Sequence, residues 1–203
     1  MKLTTLRKLK QHIGIPLSNT TKDALLDQII EGVSGFIETT THREFGVKEY
    51  REVRDGTDDD EIFLPQYPLV DVLSLTINGN QDIDLDAEEE AETVIIDKEA
   101  GSIFRQYGFG SGRKGLRITY TAGYNLPDPA DDESGVDGYE SGADENLPSA
   151  IESAAIRLSA RVYERKTAEG VASVSPTGIS ITYRDAIDAD ITTILESFTK
   201  RRL

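Results

Sequence analysis

The sequence contains no cysteine and only two histidines, His12 and His42, among its 203 residues. Without cysteine there is no disulfide framework, no thiolate nucleophile and no cysteine-ligated metal. Two histidines are too few for a histidine-rich metal centre, and neither has neighbours that indicate a catalytic triad. The composition therefore gives no support to an enzyme built on thiol or metal chemistry.

Long apolar runs are also missing. No stretch approaches the roughly 20 consecutive apolar residues that a membrane-spanning helix needs. The N-terminus carries lysines but lacks the apolar segment of a signal peptide. We therefore expect a soluble chain that is made in the cytoplasm and does not enter a membrane.

Positive charge is scarce: 22 Lys and Arg stand against 37 Asp and Glu, for a net charge of −15. The acids cluster in residues 55–61, 82–92 and 128–145, which hold 20 of the 37. Such a chain is not a general nucleic-acid binder, because attraction to phosphate needs the opposite sign. Three interpretations of the acidic segments stay open: solvated loops, a halophilic host, or a surface past which DNA slides without sticking.

Apolar residues at helical spacing predict helices over about 4–13, 21–41, 148–166 and 187–201. Gly14 is expected to stop the first helix, and a Thr20-x-x-Asp23 pattern to cap the second. The clearest pattern follows Pro148, a residue that the first turn of a helix tolerates well. Its stripe consists of Ile151, Ala154, Ala155, Leu158 and Val162. We interpret this helix as the central packing element.

Between the second and third helices, residues 47–122 have the short alternating runs and turn signals of antiparallel strands, including Asp55-Gly56 and Asn78-Gly79. Ile83 and Leu85 indicate an edge strand, and the last strand is predicted at 116–121. Residues 126–146 are polar, acidic and without period, which predicts a loop. The predicted fold class is α+β, a helical bundle of three to four helices with an inserted small antiparallel β region.

Two motifs resemble ligand sites by their letters alone. The run from Gly110 to Gly115 matches GxGxxG, but a strand rather than a helix follows it, so a hairpin loop is the better interpretation. Asp82, Asp84 and Asp86 match the start of a calcium loop, yet the turn glycine and the twelfth-position glutamate are absent. No catalytic, cofactor-binding or metal-binding residue is therefore predicted.

Four segments carry a resemblance to a known family. They are the opening helix and its glycine stop at 3–15, the helix DALLDQIIEGVSGFIETTTHRE at 23–44, the strands after Asp55-Gly56 at 62–70, and ITYTAGY at 118–124 followed by Leu147-Pro148. In this order they resemble the head–tail connector family of tailed double-stranded DNA phages, also called adaptor or head-completion proteins. The family's second helix ends in a Thr-Gly-Arg-like sequence, where this chain has Thr41-His42-Arg43.

The resemblance implies one connector domain over residues 1–203 that assembles as a ring, dodecameric in the family, at the head–tail junction of the virion. The ring would bind the portal protein and a stopper or tail-completion protein, and genomic DNA would pass through its channel without specific binding. No cofactor is implied. A tail-completion or neck ring protein is the alternative within phage assembly, and an acidic cation-binding surface module is the alternative from a different class.

Three groups of candidate contact residues follow from this resemblance and from the placement of charge. The predicted portal-binding residues are Phe198, Lys200, Arg201, Arg202 and Leu203. The predicted loop contact to a neck or tail partner comprises Gly110, Gly112, Arg113 and Lys114. The candidates for an acidic channel lining are Asp58, Asp59, Asp60, Glu88, Glu89 and Glu90.

Overall fold

The computed structural model describes residues 1–57, 59–78, 81–90, 92–127, 146–169 and 187–199. These residues divide into two compact units. The helical unit comprises Met1–Phe45 and Asn125–Thr199, and the β unit comprises Gly46–Tyr124. The β unit is thus an insertion between two parts of the helical unit along the chain.

Five helices lie within the described residues. They are α1 (Leu6–Ile13), α2 (Asp23–Thr41), α3 (Leu85–Glu90), α4 (Ser149–Glu169) and α5 (Ala189–Ser197). All but α3 belong to the helical unit, where α4 contacts α1, α2 and α5. The five residues of the predicted α4 stripe are all buried, with at most 5% of any side chain exposed. Two of the five are alanines, which lets the neighbouring helices approach closely.

Helix α1 has the ends that its sequence predicts. The Thr5 side chain accepts a hydrogen bond from the Lys8 N–H at 3.2 Å, and Gly14 closes the helix at φ 72°. By contrast, α2 begins at Asp23 without a side-chain capping bond, so the predicted capping pattern at its start is wrong.

The N-terminal lysines are used inside the helical unit. The Lys8 Nζ lies 2.6 Å from the Glu152 carboxylate of α4. Lys2 pairs with Asp27, and the almost fully buried Lys10 pairs with Asp23. These three ion pairs hold α1 and the residues before it against α2 and α4, in addition to the buried Leu3 and Leu9. The positive charge of this end is therefore balanced within the chain.

Seven strands lie within the described part of the β unit. They are β1 (Lys48–Thr57), β2 (Glu61–Phe63), β3 (Leu69–Ile77), β4 (Gln81–Asp82), β5 (Val94–Asp97), β6 (Ser102–Arg105) and β7 (Ser111–Ala122). One sheet has the order β1-β7-β3-β4 and the other the order β2-β6-β5, and every strand pair in both is antiparallel.

The corner after β7 depends on a glycine. Gly123 has φ 127°, and a Cβ on it would lie 2.4 Å from the Gly46 carbonyl oxygen. Its N–H donates to the Pro68 carbonyl oxygen at 3.0 Å. Glycine is required there because the backbone conformation and the close approach both exclude a side chain. This corner ends the β unit beside the bridge between Gly46 and Tyr124.

The prediction of a helical bundle with a small inserted β region is wrong, although the α+β class holds. The β unit has two sheets and its own apolar core, to which β2, β3, β5, β6 and β7 all contribute buried residues. Representative members of that core are Leu64, Leu75, Ile103, Phe109, Ile118 and Tyr120. The strands β2, β4, β5 and β6 have only two to four residues and leave weak traces in the sequence, and β7 begins at Ser111, inside the segment predicted to be a loop.

The region around residue 85 also differs from the prediction. Leu85 begins the helix α3 rather than continuing an edge strand. The Asp84 Oδ1 accepts the N–H of Ala87 at 3.2 Å, and the Asp82 Oδ1 accepts the Thr76 hydroxyl at 2.8 Å. These aspartates therefore cap a helix and fasten a strand. Acidic residues in the first turn stabilise a helix through its dipole. The strand prediction was wrong because it considered only the alternation of Ile83 and Leu85.

Candidate functional site

The C-terminal end of α5 is tied to the end of α2 by a buried arginine. Arg43 is 1% exposed, and its Nη1 donates to the Phe198 carbonyl oxygen at 3.4 Å. The guanidinium lies 5.4 Å from the centre of the Phe45 ring, and the Phe45 and Phe198 ring centres are 6.5 Å apart. The last carbonyls of a helix lack intrahelical donors and carry partial negative charge, so a cation there stabilises the helix end.

This anchor lies directly before the predicted portal-binding segment. Of that segment's residues, Phe198 lies in the described part of the chain, and Lys200, Arg201, Arg202 and Leu203 lie outside it. Part of the Phe198 ring is already committed to Phe45 within the helical unit. The portal-binding role of this segment stays a prediction. Arg43 holds the backbone at Phe198, the first residue of the segment.

The predicted loop contact lies at one end of the four-stranded sheet. Gly110 precedes β7, and Gly112, Arg113 and Lys114 belong to it. Gly112 pairs with Gly56 of β1, and a Cβ on Gly56 would lie 2.2 Å from the Gly110 carbonyl oxygen. The two backbones can meet this closely only because Gly56 has no side chain.

An aspartate fixes the backbone at this end of the sheet. The Asp55 carboxylate accepts the N–H of Lys114 at 2.7 Å, where Lys114 has φ 53°. Arg113 and Lys114 are both exposed there. This end of the sheet is therefore ordered strand structure that exposes the side chains of Arg113 and Lys114, although the sequence predicted a loop at this place.

The acidic candidates differ from one another. Asp58 and the Glu90 side chain lie outside the described part of the structure. Asp59 and Asp60 are exposed, and their carbonyl oxygens accept the N–H groups of Phe109 and Arg105 at 3.2 and 2.7 Å. Glu89 is exposed on α3.

Glu88 is committed to an ion pair. Its two carboxylate oxygens accept hydrogen bonds from the Nε and Nη2 of Arg105, at 2.8 and 2.9 Å. The Nη1 of Arg105 donates to the Gly108 carbonyl oxygen at 2.9 Å. The charge of Glu88 is therefore balanced inside the β unit, in the bidentate geometry that arginine and carboxylate favour.

Sequence reasoning missed Arg105 because its partner lies 17 positions earlier, on a helix that was not predicted. Its one local signal is its place at the end of β6, in register with the buried Val94 of β5. A charged residue at an inward strand position indicates a buried ion pair, but the inward side is known only once the sheet register is known.

A second polar cluster lies between β1 and β7. The Tyr120 hydroxyl donates to one Glu52 oxygen at 2.5 Å, and Arg54 donates to the other at 2.5 and 2.8 Å. The Arg54 Nη1 also donates to the Phe63 carbonyl oxygen of β2 at 2.6 Å, which links the two sheets. Burial, reinforced by the hydrogen bond and charge of Glu52, raises the pKa of the Tyr120 hydroxyl above its ordinary value.

Within the residues that the structure describes, no three histidine, aspartate or glutamate side chains come together as metal ligands. Both histidines are exposed at helix ends, His12 in the last turn of α1 and His42 after α2. No described helix is long and apolar enough to cross a membrane.

These features define an α+β protein of two compact units, in which Arg43 fixes a helix end and Asp55 fixes the end of a sheet. Residues 2–201 match the model of the head completion protein family, HCP. The chain belongs to this family. It is a structural protein of head completion, at the head–tail junction.

Three solved structures with a similar fold come from gene transfer agent (GTA) particles. The neck of an empty GTA particle computed with C6 symmetry matches with TM-score 0.53 and 16% identity, over 97% of this chain and 89% of that chain. The neck of the native GTA particle computed with C12 symmetry gives 0.52 and 16%, over 98% and 89%. The virion of the native gene transfer agent particle gives 0.52 and 15%, over 97% and 89%. No curated protein matches the chain.

Proposed function

We propose that this chain forms a homo-oligomeric ring below the portal, extends the DNA channel and joins the capsid to the tail. The observation that carries the proposal is the family match over residues 2–201. The fold similarity to neck structures computed with C6 and C12 symmetry supports a ring, and twelve subunits satisfy both symmetries. The chain acts by assembly and carries out no catalysis.

The partners of the ring follow from its place in the particle. The portal protein lies on the capsid side, where the segment that starts at Phe198 makes the contact. A stopper or tail-completion protein lies on the other side, where Arg113 and Lys114 at the end of β7 are the contact residues. Arg43 holds the backbone at Phe198, where the first contact begins, and Asp55 holds the backbone at Lys114 in the second.

DNA passes through the ring without being bound. The net charge of −15 repels phosphate, so an acidic lining limits adhesion during packaging and ejection. Of the acidic candidates, exposed Asp59, Asp60 and Glu89 retain charge for this role. Glu88 contributes little, because Arg105 balances it.

The ring is tested by measuring mass in solution and imaging the chain in negative stain, alone and mixed with the portal protein of the same particle. The expected result is a closed ring of twelve subunits, either free or seated on the portal. The proposal is overturned if the chain stays monomeric in both samples and does not bind the portal.

A further inference from the structure

A ring of identical subunits needs two different surfaces on each subunit that fit one another, because each contact is heterologous. The broad apolar faces of α2 and α4 are the first candidates that the sequence offers. Those faces are largely used within the chain, since most of their apolar residues are buried and Leu25 and Phe36 of α2 are partly buried. Large apolar side chains that remain exposed on the described helical unit are Met1 and Leu17.

The described part of the β unit is different, because it exposes large apolar side chains on both of its sheets. On the four-stranded sheet, Val53 is 56% exposed and Leu73 is 51% exposed. Val53 is paired with Arg117 of β7, which is also exposed, and Arg51 lies two residues before it on β1. We call the surface formed by Arg51, Val53, Leu73 and Arg117 the basic sheet face.

The three-stranded sheet has an exposed apolar surface of the opposite charge. Ile95 is 56% exposed and is paired with Phe104, which is in turn paired with the exposed Glu61. In the next row on the same face, Asp97 is paired with Ser102, and Ser102 with Phe63, which is 36% exposed. We call the surface formed by Glu61, Phe63, Ile95, Asp97 and Phe104 the acidic sheet face.

The charges on each face identify the side chains that matter most. Arg51 is partly balanced, because its Nη2 lies 2.9 Å from the Glu49 carboxylate. Asp71 also lies on the exposed side of β3, two rows from Arg117, and it caps the N–H of Val72 at 3.0 Å. Asp97 caps the N–H of Ala100 at 2.8 Å. Arg117 and Glu61 are thus the charges best placed to recognise a partner.

We propose that the basic sheet face of one subunit docks on the acidic sheet face of the next subunit in the ring. This inference rests on the proposed ring and names the surfaces that close it. The two faces are distinct, belong to the same β unit and combine apolar side chains with opposite charge, which is what a repeated heterologous contact requires. Burial of Val53, Leu73 and Ile95 supplies the apolar part of the contact, and Arg117 with Glu61 sets its register.

Charge reversal tests the electrostatic part of the contact. Arg117→Glu and Glu61→Arg each lower the fraction of subunits in closed rings about tenfold, because like charges then face each other. The double variant returns the fraction to within about twofold of the original chain, since the pair is restored in reverse. Arg157→Glu makes the same charge change on α4, outside both sheet faces, and leaves ring formation unchanged.

The native chain has no cysteine, so an engineered cysteine pair reports contact without background. Val53→Cys with Ile95→Cys, oxidised in portal-bound rings, gives a ladder of covalently linked subunits on a non-reducing gel. The matched control combines Glu31→Cys with Ile95→Cys, which places one thiol at the exposed position 31 of α2. This variant gives only monomers on the gel under the same conditions.

The two experiments separate this inference from the proposed function. If the unaltered chain forms rings but Arg117→Glu and Glu61→Arg leave them intact and the first cysteine pair does not cross-link, the sheet-face contact is wrong and the ring stands. If the unaltered chain forms no rings with the portal, the proposed function and this inference both fail.

Discussion

The helical unit and the β unit differ in how far they bury their large apolar side chains. In the helical unit, the apolar stripes of α1, α2, α4 and α5 are turned inward and the N-terminal lysines are paired with acids. The β unit has an apolar core of its own, yet it still exposes Val53, Leu73 and Ile95. In the described residues, the helical unit therefore buries most of its large apolar side chains, whereas the β unit leaves several exposed on its sheets.

The two units also bury charge for different purposes. In the helical unit, the buried cation Arg43 stabilises the end of a helix through a carbonyl group. In the β unit, Arg105 of β6 is held by the Glu88 carboxylate of α3, and Arg54 by the Glu52 carboxylate two residues earlier on β1. Glu52 also accepts the Tyr120 hydroxyl of β7, and Arg54 also donates to the Phe63 carbonyl oxygen of β2. Substitutions that break these contacts compare an arginine bound to a carbonyl group, as in the helical unit, with arginines bound to carboxylates, as in the β unit.

The largest effect is expected in the β unit from Glu88→Gln. This change leaves the buried Arg105 guanidinium without its carboxylate and lowers the free energy of unfolding by about 3 kcal/mol. Urea denaturation measures the change. Glu89→Gln, one residue along the same helix and exposed, shifts the free energy by less than about 0.5 kcal/mol. Equal effects from the two variants would show that the Arg105 pair is not an anchor.

Arg43→Met is expected to have the largest effect in the helical unit. The variant removes the donor to the Phe198 carbonyl group and the cation at the end of α5, at a cost of about 2 kcal/mol. Its control is Arg157→Met, because the Arg157–Asp190 pair at 3.7 Å is largely exposed and contributes under about 0.5 kcal/mol. Urea denaturation followed by far-ultraviolet circular dichroism compares them, and a control as damaging as Arg43→Met contradicts the anchor.

Tyr120→Phe gives a smaller effect with a specific pH dependence. At neutral pH the loss of the hydroxyl donor to Glu52 costs about 1 kcal/mol. The Tyr120 hydroxyl holds its proton more tightly in the folded chain than in the unfolded chain, where the pKa of the hydroxyl is about 10. The stability that this proton contributes is complete below that pH and is lost as the pH rises above it.

The expected result is that the difference in stability between the original chain and Tyr120→Phe shrinks as the pH is raised past about 10. Thermal unfolding at several pH values measures it. Tyr107→Phe serves as the control, because Tyr107 is 69% exposed. A difference that stays constant across this range would contradict the buried hydrogen bond to Glu52.

The smallest effect on stability is expected at the exposed end of β7. Arg113→Gln combined with Lys114→Gln changes the free energy of unfolding by less than about 0.5 kcal/mol, because the Asp55 contact is to the backbone. The same variant weakens attachment of the tail-side partner, measured by co-sedimentation with assembled necks. Lys98→Gln, an exposed lysine elsewhere in the β unit, retains attachment. Normal attachment by the double variant would remove this surface from the proposal.

The sequence predicted local features well where they depend on neighbouring residues. The α4 stripe and the Gly14 stop each follow from a short pattern whose physical cause is local. The family resemblance rested on the order of these patterns, and the match over residues 2–201 confirmed it.

The features that depend on distant residues were missed. The size of the β unit emerges only when β1, β7 and β3 are placed in register, because β7 pairs with β1 and β3 and lies far from both in sequence. The Arg105–Glu88 pair has the same cause, and so does the Tyr120–Glu52 hydrogen bond. The exposed sheet faces could not be predicted either, since a strand pattern does not state which side the rest of the chain covers.

The division of roles between the two units is the central claim, and hydrogen exchange on portal-bound rings compared with the free chain tests it most directly. The predicted result is added protection in β1, β2 and β5, which carry residues of the two sheet faces at or near the edges of their sheets, with little change in α1, α2 and α4. Added protection confined to those three helices, with exchange in the strands unchanged, would contradict the account.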